Sequence, residues 1–179
     1  MKFILTILFL LPLLATSQMN ISNNLVRVSA SGDLTYEYIH GFAYKDSVLY
    51  TVNIATRYVF VRVTPGLTVG EAEGVTIVGD SITIATAGDY KITLAFSADG
   101  GINEDYHTKM YINSAKAVTP QGSCFYTTTG ANNFESVTWF WYRTLAAGDD
   151  LSFWIANNTN TGDTNIRSFK VLIEKVPEH

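Results

Sequence analysis

Within seven residues, Asp99-Gly100-Gly101-Ile102-Asn103-Glu104-Asp105, four side chains carry oxygen: Asp99, Asn103, Glu104 and Asp105. Carboxylates and amides at this density are the ligands a hard cation takes, although the spacing is not that of an EF-hand loop. The competing reading is a solvated polar loop on a rigid scaffold. A second polar stretch, 157–165, offers Asn157, Asn158 and Asn160. Asp149 and Asp150 are adjacent carboxylates that suit acid–base work, but following Ala147-Gly148 they suit turn capping better. His40, His107 and His179 are scattered without metal-ligand spacing, and His107 follows Glu104 and Asp105 closely enough for a local ion pair. No Gly-x-Ser-x-Gly elbow and no phosphate-cradling glycine loop before a helix is present. The single cysteine, Cys124, has no base nearby in sequence and reads as a small buried hydrophobe. These observations favour a chain that is not an enzyme and has no cofactor. The alternative is a secreted carbohydrate-binding or carbohydrate-processing domain, which needs two carboxylates or an aromatic platform in a cleft. Tyr36, Tyr38, Tyr44, Tyr50, Tyr106 and Tyr126 are read as exposed rings that could stack on sugars, against ordinary half-buried sheet positions.

The elements that must hold these groups are strands. Ser136 to Arg143 reads Ser-Val-Thr-Trp-Phe-Trp-Tyr-Arg. Strand side chains alternate, so Phe140 and Tyr142 point one way and Trp139 and Trp141 the other. One aromatic face fills a core. A lone sandwich has nothing left to hide the second, which implies another subunit. Trp139, Phe140, Trp141 and Tyr142 are therefore the expected assembly residues.

Bulk composition agrees. The chain has 179 residues, 47% hydrophobic and only 16% charged, which is low for a free monomer. A formal net charge of −4 argues against a nucleic-acid partner. Met1-Lys2, an apolar run from Phe3 to Leu14 and the small residues Ala15-Thr16-Ser17 form a signal-peptide pattern over 1–17. The expectation is an exported chain with no membrane span after cleavage, placed outside the cell or on a virion surface.

Short alternating runs separated by Gly, Asp, Asn and Pro repeat along the chain, with almost no helical patterning. Expected strands include Val48–Ala55, Arg57–Thr64, Val75–Val78 and Ser81–Thr86, the last two flanking a Gly79-Asp80 turn. Asp89–Ser97 follows with Tyr90, Ile92, Leu94 and Phe96 inward; then come His107–Asn113, Cys124–Thr129, Phe134–Thr144, Leu151–Asn157 and Arg167–Lys175. About eight to ten strands without helices imply an all-β, two-sheet antiparallel sandwich with jelly-roll topology over 41–176. Residues 18–40 are read as an arm or extra edge strand, and 177–179 as a frayed tail.

Ala87-Gly88-Asp89-Tyr90-Lys91-Ile92, Met110-Tyr111-Ile112-Asn113, Leu145-Ala146-Ala147-Gly148-Asp149-Asp150-Leu151 and Phe169-Lys170-Val171-Leu172-Ile173 occur in order and at spacing that resembles the tumour necrosis factor and complement globular-head superfamily. Ser114 stands where that family usually has Gly. His40-Gly41, the 58–63 stretch and Gly79-Asp80-Ser81-Ile82-Thr83-Ile84 resemble viral versions of the module, found in phage fibres and head decorations. The resemblance implies a homotrimer with the Trp139–Tyr142 strand on the three-fold axis. It also implies a calcium site at Asp99, Asn103, Glu104 and Asp105. Ligand contacts are expected from Asp99, Asn103, Glu104, Asp105, Asn157, Asn158 and Asn160. The partners expected are a cell-surface glycan, a protein receptor or neighbouring virion proteins.

Overall fold

The computed structural model describes residues 19–21, 24–28, 34–46, 49–113, 115–116 and 122–176. The leader expected over 1–17 and the tail over 177–179 lie outside the described residues. Strands β1 (Met19–Ile21), β2 (Asn24–Val28) and β3 (Leu34–Tyr38) form a three-stranded antiparallel meander of their own, not an extra edge of a larger sheet.

The remaining strands make two antiparallel sheets. They are β4 (His40–Lys45), β5 (Tyr50–Val52), β6 (Val61–Arg62), β7 (Thr68–Glu73), β8 (Val75–Val78), β9 (Ser81–Ile84), β10 (Gly88–Asp99), β11 (Glu104–Ile112), β12 (Ala115–Lys116), β13 (Ser123–Thr128), β14 (Glu135–Leu145), β15 (Asp150–Asn157) and β16 (Thr164–Lys175). One sheet runs β14-β10-β16-β4-β7, with β5 sharing an edge of β16. The other runs β12-β11-β15-β9-β8, with β13 beside β12 on one edge of β11 and β6 on β15. The described chain is all-β and folds as a jelly-roll sandwich.

Alternation builds the core. Tyr90, Ile92, Leu94 and Phe96 of β10 all point between the sheets, as do Phe169, Val171 and Ile173 of β16 and Leu151, Phe153 and Ile155 of β15. Phe169 touches Phe96 in its own sheet at 6.2 Å between centroids and Phe153 in the facing sheet at 5.4 Å. Such rings dominate the burial energy of a sandwich. Gly79 turns β8 into β9 with φ +58°, the left-handed conformation a tight hairpin needs.

Two stretches depart from the sequence reading. Of the strand expected over Arg57–Thr64, only Val61–Arg62 pairs with a neighbour. Tyr58 instead adopts φ +64° and donates its N–H to the Asn157 carbonyl at 2.9 Å, so a turn replaces the strand start. Conversely, β7 has no counterpart among the strands expected from the sequence. It pairs with β4 at the sheet edge with every residue exposed, so it carries no alternating signature.

Candidate functional site

Two regions stand out: the open face of the β14-β10-β16-β4 sheet, and the loops at one end of the sandwich.

On β14, register decides which aromatics are free. Trp139 and Trp141 pair across to Leu94 and Ile92, and both indoles lie in the protomer's own core at 8% exposure. They are core residues here, because their strand face is the one turned toward the second sheet. Phe140 and Tyr142 occupy the outer face at 63% and 57% exposure, ring edge to ring face at 5.8 Å. Cross-strand pairing then carries rows over the sheet. Phe140 aligns with Thr93, Leu172 and Phe42. Tyr142 aligns with Lys91, Glu174 and His40, and Lys91 lies 4.0 Å from Glu174. Phe42 stacks with Tyr44 at 5.6 Å. The result is an outer face with an aromatic pair at each side and smaller side chains between.

The end loops differ from their sequence reading. Asp99 ends β10 and Glu104 starts β11, and both carboxylates turn inward, at 1% and 7% exposure. Asp99 accepts from the Asn165 amide at 2.8 Å and the Asn132 N–H at 2.6 Å. Glu104 accepts from the Tyr106 hydroxyl at 2.5 Å, the Gly101 N–H at 3.0 Å, the Asn157 amide at 3.1 Å and the Asn160 amide at 2.6 Å. Burial alone pushes the Glu104 carboxyl up, but the donors from Tyr106, Asn160, Gly101 and Asn157 outweigh it and hold it below its ordinary value. A Cβ at Gly101 or Gly162 would run into this carboxylate, so glycine at both positions lets the loop backbones close on it.

Asp105 alternates to the opposite face, where it is exposed and accepts from Thr127 at 2.6 Å. Asn103 is exposed at φ +57°. The four residues expected to hold calcium are thus split between inside and outside. Among the described residues no three His, Cys, Asp or Glu side chains converge on a metal position. Of the loop amides, Asn157 is fully buried and Asn160 exposed. Asn158 is half-buried, and its backbone joins Asp105 and Arg57.

Tyr106 and Tyr126, read as exposed, are buried and stack at 5.3 Å. His107 lies on the face of β11 opposite Glu104 and on the same face as Asp105, and it stacks on Phe125 at 3.8 Å. Cys124 is half-buried, and burial pushes its thiol up. Asp149 caps its turn by accepting the Ala146 N–H at 2.8 Å. Asp150 accepts from the Ser81 hydroxyl at 2.6 Å, a bond between distant turns that adjacency could not reveal.

Among solved structures, the TNF Eiger of S. frugiperda superposes with a TM-score of 0.56 at 12% identity, over 79% of this chain and 95% of that one. The fold is a TNF-like jelly roll. The PRD1 vertex protein P5 shares it, with a TM-score of 0.50 at 12% identity over 77% of this chain and 96% of that one. No protein-family model matches the chain, and no curated protein matches it in sequence. Within the TNF-like fold, the edge strand β14 and the outer face of its sheet supply the exposed rings, and the end loops supply the polar groups. No helix among the described residues is long and apolar enough to cross a membrane.

Proposed function

We propose that the chain is a non-enzymatic binding or structural module that works as a homotrimer, as a virion fibre or decoration tip or as an exported surface adhesin. The observation that carries this reading is the exposure of Phe140 and Tyr142 on a sheet face continuous with Leu172 and Phe42. Leaving such rings in water forfeits roughly 1.5–3 kcal/mol each relative to burying them, and a second copy recovers it. The TNF-like fold supports three-fold assembly through this sheet, and the likeness to a phage vertex protein favours the virion setting.

Chain direction supports a division of labour. β16 runs from the Glu104 end, where Thr164 pairs with Val52, to the opposite end, where Glu174 pairs with His40. The entry from β3 therefore lies far from the loops 100–103, 129–134 and 158–163. The end entered from β3 suits attachment and the loop end recognition. Three equivalent loop sets would raise affinity by avidity, without stronger single contacts. Sedimentation of the purified chain tests the assembly. A species of three times the chain mass is expected, and a monomer at micromolar concentration overturns the reading.

A further inference from the structure

We propose that the Glu104 carboxylate makes the loop 100–103 and the loop 158–163 a single binding face, so that a contact made by one loop is transmitted to the other. This deepens the reading of the loop end as the recognition surface and rests on it.

The two loops are separate crossings between the two sheets. The first joins β10 to β11 and the second joins β15 to β16. Their connection runs through one side chain. Glu104 Oε2 takes the Gly101 N–H of the first loop and the Asn157 amide at the base of the second, while Oε1 takes the Asn160 amide of the second. Asn157 in turn accepts the backbone N–H groups of Thr159 at 2.8 Å and Asn160 at 3.0 Å, shaping the second loop as an Asx turn. Tyr106 donates to Glu104 and lies 2.9 Å from the Asp163 carbonyl. Thr159 accepts the Asp105 N–H at 2.8 Å.

The donors onto the carboxylate are neutral hydroxyl, amide and peptide groups. Bonds to an ionised acceptor are about twice as strong as neutral ones, so the anion is what holds the pair of loops. The titratable groups around it are Tyr106 on its own strand, Tyr126 stacked on Tyr106 from β13, and Asp99 at the other end of the loop 100–103. Asp163 accepts the Ile54 N–H at 2.8 Å, and Asp105 faces the other side of the sheet.

The sign of the pH dependence follows. A carboxylate held below its ordinary value of 4.5 contributes stability that is complete above that pH. The contribution is lost as pH falls through the lower folded value. The loop pair therefore stays locked in mild acid and releases as a unit only in stronger acid.

Amide NMR on the full-length chain tests the proposal. The Gly101 N–H and the Asn157 and Asn160 side-chain amides should titrate together, with one midpoint below 4.5. Glu104→Gln presents an NH2 group to existing donors, and hydrogen-exchange protection should fall at least about tenfold in both loops at neutral pH. Should that variant not fold, Asn160→Ala removes one donor from the second loop only. Faster exchange is then expected in 100–103, where nothing was changed. Separate midpoints, or exchange that rises in only the mutated loop, overturn the proposal. The wild-type mass reports independently on assembly. A trimer with uncoupled loops discards this inference alone, and a monomer with coupled loops discards the assembly alone.

Discussion

Trp141 and Tyr142 are peptide neighbours on β14 and face opposite ways through the sheet, at 8% and 57% exposure. The two residues therefore fail differently when changed. Under the proposed assembly, Phe140→Glu with Tyr142→Glu should give monomers that keep a β-sheet circular dichroism spectrum, since charge is placed only on the outer face of the sheet. Trp141→Ala should cost about 3–5 kcal/mol in urea unfolding, because it opens a cavity against Ile92.

Indole fluorescence separates core from interface. Trp139 and Trp141 are shielded within one protomer. Their emission should stay resistant to acrylamide in the Phe140→Glu, Tyr142→Glu monomer. Quenching that rises on dissociation would instead return the indoles to the subunit contact.

Alkaline stability should show buried tyrosines. Burial pushes Tyr90 up to about 12, and its hydroxyl donates to the Thr86 carbonyl. Burial likewise pushes Tyr106 and Tyr126 up. A raised folded pKa means stability that is complete below the ordinary value of 10 and is lost as pH climbs toward 12. Melting temperature should fall steeply across that window, and Tyr90→Phe should flatten the fall.

Calcium should not raise the melting temperature at millimolar concentration. Asp99 and Glu104 are already engaged by N–H and O–H donors, and Asp105 faces away from them. A ligand that binds only the folded state shifts melting, so a clear rise would mean that a cation competes successfully with those donors.

Much of this fold was legible in the chain because strand alternation is local. The inward set Tyr90, Ile92, Leu94 and Phe96, the Gly79 turn and the opposed faces of Trp139–Tyr142 all follow from period-two patterning and turn chemistry. The four short motifs in order point to the TNF-like jelly roll because they mark the entry of β10, the end of β11, the β14–β15 turn and the closing strand β16. Which aromatic face of β14 is core was not legible. Alternation says that two faces differ, and only the packing of the second sheet says which one is covered. Likewise, the polar composition of 99–105 and 157–165 reads as solvated loops or ligands. Turning Glu104 inward depends on Tyr106, Asn157 and Asn160, which the chain brings together from as far as 56 positions away. Contacts of that range leave no periodic trace, so tertiary structure alone decided that these residues hold one another.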